Sequence, residues 1–357
     1  MKIPKLKIGN LTARIPIVQG GMGVGISLSS LAGTVAANGG IGVISGVEIG
    51  FKEIDYFKNK KKANLRALKN NIRKARGICR NGIIGVNLMV ALNNFEEMVK
   101  QSVKEKVDII FSGAGLPLNL PKFTKGTNTK IVPIISSAKA AKVICKSWDR
   151  RYNVIPDAIV VEGPKAGGHL GFSENQLKDS SYNLKDILKN VISSIESFEK
   201  KYNKKIPIIV GGGIHDGKDI SEFLKAGASG VQIGSRFVAT YECDASIEFK
   251  KAYINSKAHD IRLIKSPVGM IGRAISNDYL DNIERGEGER IQCISNCLKP
   301  CNPLKAPYCI ADALINAQKG NLESGFAFAG ANAYKINKIT SVKNLMDELI
   351  DEANKVY

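Results

Sequence analysis

The residues best suited to chemistry in this chain lie where apolar runs end in bare backbone. Residues 160–172 read VVEGPKAGGHLGF, passing through Glu162 into Gly167 and Gly168 and then to His169, one of three histidines. An imidazole that titrates near neutrality can take a proton from a carbon acid or stabilise an anion. The alternative is a histidine satisfied structurally in a loop. A second constellation, VGGGIHDGKDISEFLKAGASGVQIGSRF (210–237), sets Gly212 and Gly213 after one apolar run and Gln232, Ile233, Gly234 and Ser235 at the end of the next. Glycine turns like these let backbone N–H groups approach a phosphomonoester, helped by the N-terminus of a short following helix. Gly21 and Met22 in QGGM (19–22), Asn87 in IIGVNLMV (83–90) and SGAG (112–115) complete a set of mostly small side chains and backbone donors. Such a set suits close approach to a flat, phosphate-bearing ligand.

These residues need a scaffold that brings strand ends together. Eight runs read as strands: 15–20, 40–46, 83–90, 107–115, 130–137, 157–163, 206–213 and 230–237. They are continuous and rich in Val and Ile, as parallel strands buried on both faces should be. Amphipathic segments such as FEEMVKQSVKEK, AKAAKVICKSW, LKDILKNVISSIESFEKKY and GKDISEFLKAG separate them. Eight strands with helical crossovers predict an α/β chain folded as a (β/α)8 barrel, whose site forms at the carboxyl ends of the strands. A doubly wound open sheet is the alternative, although no G-x-G-x-x-G opens a helix after the first strand. The barrel is expected over residues 1–240. Residues 241–357 are expected to form a helical extension, carrying a cysteine-rich segment and packing on the barrel as an appendage or lid.

Composition narrows the class. The chain has 357 residues, 44% of them hydrophobic, which is enough for one large core. No apolar run reaches the length of a membrane span, and no signal peptide is evident, so a cytoplasmic location is expected. The formal charge of +19 raises the question of nucleic acid. The densest basic run, residues 58–80, has helical spacing and no aromatic residue for base stacking, so it reads as a solvated helix face. Cys79, Cys145 and Cys243 read as buried reduced thiols. Cys293, Cys297, Cys301 and Cys309 are spaced C-x3-C-x3-C-x7-C, which is not a standard zinc pattern; no metal is expected there, with zinc or an iron–sulfur cluster left open.

With PIVQGGM (16–22), GVNLMV (85–90), A-G-G-H-x-G (166–171) and GGGIHDG…AGASGVQIGSRF (211–237) in view, the chain resembles the nitronate monooxygenases, formerly 2-nitropropane dioxygenases. These are relatives of the flavin-dependent enoyl-acyl-carrier-protein reductases. The resemblance covers roughly residues 10–240 and implies FMN held non-covalently in a TIM barrel. It implies that Gly21 and Met22 line the isoalloxazine and that Asn87 hydrogen-bonds it. Glu162 and Gly167 would contact the flavin, and Gly212, Gly213 and the turn Gln232–Ser235 would take the phosphate. His169 would be the base for nitroalkanes, or an anion-stabilising group for nitronates. The implied reaction is oxidation of alkyl nitronates with O2 to a carbonyl compound and nitrite. The alternative is an NAD(P)H-dependent reductase of enoyl thioesters or quinones. Position 162 departs from the pattern, because many nitronate monooxygenases carry Gln there and the enoyl reductases commonly carry Glu. Pro164 and Lys165 depart as well. The partners expected are a small-molecule substrate and O2, with no nucleic acid, no membrane, and a homodimer as an open assembly.

Overall fold

The computed structural model describes residues 2–288, 291, 293 and 296–357. A hairpin, β1 (Leu6–Ile8) and β2 (Leu11–Ala13), precedes the main sheet. Six parallel strands follow: β3 (Ile17–Gln19), β4 (Ile41–Ser45), β5 (Ile83–Met89), β6 (Ile109–Gly113), β7 (Lys130–Ile135) and β8 (Ile159–Glu162). The short β9 (Gly168–Leu170) leaves the sheet, and β10 (Ile208–Gly211) and β11 (Gly230–Ile233) complete it. β10 pairs with β8 and β11 with β3, so eight strands close into a parallel barrel. Each coincides with one of the eight apolar runs, and the open sheet is excluded.

Strand alternation divides the apolar side chains into two layers. Val18, Val43, Phe111, Val132, Val160 and Ile209 fill the barrel interior, and Leu6, Ile8 and Ala13 of the N-terminal hairpin close its floor. Ile44, Val86, Ile110, Val161, Val210 and Val231 belong to the larger core shared with the surrounding helices. The helices begin where sequence chemistry favours it. Ser137 Oγ accepts from the Ala140 N–H, Asn183 Oδ1 from that of Asp186, and Asp216 and Asp219 form a capping box. The basic run becomes the helix Lys60–Cys79, in which Lys60, Lys61, Arg66, Arg73 and Arg76 pair with acids on neighbouring segments.

The extension carries helices Ile247–Asn255, Asp278–Glu284, Ile310–Gln318 and Val342–Val356. It also carries two strands that its sequence did not advertise, β12 (Ile261–Lys265) and β13 (Ile271–Ile275). They form an antiparallel sheet with β9, in register Gly272 to His169 and Arg273 to Gly168. The segment that carries His169 is thus an edge of the extension's own sheet. No helix among the described residues is long and apolar enough to cross a membrane.

Gly42 shows how tightly helix and barrel meet. A Cβ there would lie 1.8 Å from the Ala32 carbonyl oxygen on the helix Ser29–Ala37, and backbone cannot yield as a side-chain tip can. Gly42→Ala is expected to cost at least about 2 kcal/mol, read as a lowered urea midpoint at an unchanged slope.

Candidate active site

A cavity of about 300 Å³ opens at the carboxyl end of the barrel and is roofed by the extension. Gly21, Met22, Asn87, Glu162, Gly167, His169, Gly212, Gly213, Gln232, Ile233, Gly234 and Ser235 all line it, so the structure brings these twelve candidate site residues to one space. The volume lies at the lower end of the range for small-molecule sites.

Local geometry explains most of the glycines. Gly21 runs so close to Asn87 that a Cβ would sit 2.4 Å from Asn87 Cβ, and Asn87 Nδ2 donates to the Gly21 carbonyl at 3.4 Å. Ser27 fixes the following turn by accepting from the Met22 N–H at 2.9 Å. Gly212 and Gly213 adopt φ of 102° and 90°, conformations that L side chains rarely hold. Gly234 is different: an added Cβ would meet only Met22 Sδ, at 3.5 Å. The protein itself has room for a side chain there.

Gly167 lines the cavity and has a second constraint that its sequence did not show. Its missing side chain makes way for the Ala329–Gly330 backbone, which an added Cβ would approach within 2.5 Å. Gly168 has φ 76° and open space around it. Arg273 of β13 holds the same loop, donating through Nη1 to the carbonyls of Pro164 at 2.7 Å and Ala166 at 2.6 Å.

His169 stands on β9 with Nε2 2.7 Å from Ser266 Oγ and its ring edge-on to Phe328, centroids 5.1 Å apart. That leaves Nδ1 as the ring nitrogen not engaged by Ser266. Burial pushes its pKa down to about 4, so the near-neutral titration expected from sequence is corrected. Desolvation disfavours the imidazolium, and no carboxylate among the described residues compensates it. Glu162, at the end of β8, takes no hydrogen bond from any described residue, and burial pushes its carboxyl up to about 7.

The model of the family described as nitronate monooxygenase matches residues 5–352. The chain belongs to the nitronate monooxygenase family. It is 27% identical to a probable nitronate monooxygenase of Staphylococcus aureus, over 78% of this chain and 80% of that protein. It is 24% identical to a hydroxy-methyl-oxo-octahydroindene carboxyl-CoA dehydrogenase of Rhodococcus jostii, over 77% of this chain but only 66% of that enzyme's length. Among solved structures it resembles FabK from Thermotoga maritima, with a TM-score of 0.75 and 25% identity over 96% of this chain and 94% of that one. The chain is an oxidoreductase on these grounds.

The sequence assigned no site role to several other residues of the cavity wall. Glu48, Lys165, Arg236, Tyr253, Cys297 and Phe328 also line the cavity. Arg236 donates to the His215 carbonyl at 2.7 Å and pairs with Glu348 at 2.7 Å, which ties the barrel's last turn to the helix Val342–Val356. His215 lines the cavity too, whereas His259 is exposed beside Asp260. Lys165 and Arg236 sit in glycine-bearing turns, whereas Glu48, Tyr253, Cys297 and Phe328 carry no such local signal. Of the four clustered cysteines, only Cys297 reaches the cavity wall. No group of three or more His, Cys, Asp or Glu side chains among the described residues is placed to hold a metal.

The two shifted groups oppose each other in pH dependence. Between about pH 4 and 6.5 the unfolded chain binds the proton at position 169 and the folded chain does not, so this term is lost on acidification. Between about 4.5 and 7 the folded chain alone keeps the proton on Glu162, so that term is lost as pH rises. Near pH 5–6, in protein freed of small-molecule ligands, these two slopes oppose each other. Relative to the unsubstituted protein, Glu162→Gln is expected to make stability fall more steeply on acidification, by up to roughly 1.4 kcal/mol per pH unit, and His169→Asn to change the slope in the opposite direction. Urea titrations at pH 5, 5.5 and 6 check this, and parallel curves for all three proteins would contradict it.

Proposed function

We propose that the cavity holds FMN non-covalently and that the enzyme oxidises alkyl nitronates with O2, releasing a carbonyl compound and nitrite. The residues present fit that cofactor. At one end the left-handed Gly212 and Gly213, the open Gly234 and Ser235 border the cavity beside Lys165 and Arg236, which suits a phosphomonoester. Toward Gly21, Met22, Asn87 and Gln232 the walls are backbone and amide groups, which suits a flat ring with hydrogen-bonding edges. When bound, FMN supplies an acceptor for the substrate's electrons and a donor to oxygen.

The chain's own part is orientation and proton handling. His169 carries the proposal: it is neutral, set at the cavity wall, and oriented by Ser266 and Phe328. A neutral nitroalkane would lose the proton beside its nitro group to the nitrogen that Ser266 leaves unengaged. The anion so formed would sit against the new imidazolium and raise its hold on that proton. A substrate already ionised has no proton to give, and His169 then orients it only. The apolar walls at Met89, Leu92, Leu298 and Leu314 exclude water from the reacting carbon.

A second reading, NAD(P)H-dependent reduction of enoyl thioesters or quinones, draws on Glu162. A carboxyl kept protonated to about pH 7 can donate a hydrogen bond to an acceptor's carbonyl oxygen.

The purified protein is expected to be yellow and to release FMN on denaturation. Gly234→Asp should fold, because the protein has room at that position, yet emerge colourless because the carboxylate occupies the anion's place. His169→Asn should keep its FMN and lose on the order of 10²–10⁴-fold in turnover of neutral nitroalkanes, with a smaller loss on pre-ionised nitronates. Anaerobic stopped-flow mixing separates the readings: bleaching by NADH or NADPH, with none by nitronates, selects the reductase. Equal and negligible effects of His169→Asn on every substrate would remove its assigned role.

A further inference from the structure

Glu48 lies just beyond β4, on the cavity wall near Val47 and Cys297, and neither reading of the reaction uses it. Three observations single it out. It is a carboxylate only 4% exposed. Its backbone sits at φ 46°, a left-handed conformation uncommon for a residue other than Gly, Asn or Asp. Such conformations persist where the surroundings over-determine them, and they gather at ligand-contacting positions. Finally, its two partners crowd one oxygen. Tyr56 Oη donates to Oε2, and Lys60 Nζ lies 2.8 Å from the same atom. Among the described residues nothing donates to Oε1, and that oxygen is not among the buried polar atoms sealed off without a partner.

An oxygen that no described residue bonds or seals off, on a residue of the cavity wall, is open to what occupies the cavity. Lys60 holds the side chain in place from outside while Tyr56 fixes its rotation. The surrounding walls, Val24, Val47, Leu314 and Ile310, are apolar. A lone acceptor in such a wall costs free energy whenever an apolar group covers it, and it repels an anion.

We propose that Glu48 is a specificity-determining residue, whose Oε1 accepts a hydrogen bond from a hydroxyl or amide N–H on the tail of an otherwise apolar substrate. The proposal rests on this cavity being the substrate site, and it holds for either reaction. The substrate class it selects has its reactive group toward His169 and an uncharged hydrogen-bond donor several bonds away.

The test uses inert probes and the FMN-loaded protein, so that binding is read without turnover. The ω-hydroxyketones 4-hydroxybutan-2-one, 5-hydroxypentan-2-one and 6-hydroxyhexan-2-one are each compared, by calorimetry, with the ketone bearing a methyl in place of the hydroxyl. At least one length is expected to bind about 10-fold or more tightly than its methyl counterpart, the scale of one hydrogen bond to a charged acceptor. Glu48→Leu should bring that ratio to about one, and Glu48→Gln, which retains an acceptor oxygen and the side chain's shape, should keep a clear preference for the hydroxyl. Wild-type protein without preference at any length, or a ratio unchanged in Glu48→Leu, overturns the proposal. Failure of the cofactor reading shows separately, as protein that stays colourless after addition of FMN; the same ketone ratios then judge Glu48 on the unloaded chain.

Discussion

One buried guanidinium joins the two parts of this molecule at the point where its chemistry gathers. Arg273 reaches from the extension's sheet to the Pro164 and Ala166 carbonyls, the backbone that leads from β8 into His169. Burial lowers its pKa, yet those two carbonyls lie within hydrogen-bond reach of a single nitrogen and stabilise the charge there. β13 then pairs with β9 alongside, and the Ala329–Gly330 backbone passes over Gly167. Without this grip the β8–β9 loop would be an ordinary barrel loop, free to turn His169 toward solvent. With it, the imidazole is desolvated, its Nε2 is delivered to Ser266 of the extension, and its charged form is suppressed.

The barrel was legible because parallel strands buried on both faces leave an unambiguous mark. Runs such as IPIIV and DAIVV have no polar face to confuse the period, and glycine turns mark their ends. The three-residue strands outside the barrel left no such mark. β9 is Gly-His-Leu, too short for any alternation, and its partner β13 lies about a hundred residues away in sequence. The hairpin LKI–LTA is equally short, and its burial arises only because the barrel floor needs a plug.

Gly167 illustrates a subtler limit of sequence reading. Its place in A-G-G-H-x-G correctly marks a position where no side chain fits. What occupies the space is the extension's own backbone, which local sequence cannot name. Likewise His169 sits where its motif puts it, but its protonation does not follow from the motif. A free imidazole titrates near 6.5; this one is neutral well below that because Phe328 and the extension's sheet remove its water. Site residues borne on barrel turns were readable, whereas Glu48, Arg273 and Ser266 acquire meaning only through contacts between distant segments.

The same separation of local from global applies to charge. A net charge of +19 suggests a positive molecule, but much of the densest basic helix is matched by acids beside it. Within the cavity the arrangement is uneven rather than uniformly positive. Lys165 and Arg236 border the end with the glycine turns, and Glu48 and Glu162 border other walls. Glu162 can shed its charge by holding a proton to about pH 7, whereas Glu48 has Lys60 against it. In a desolvated space such local pairings outweigh distant surface charges, which water and salt screen. The cavity therefore places anionic and neutral parts of its occupants by where its own few ionisable groups stand, and the excess of lysines outside has little say in that orientation.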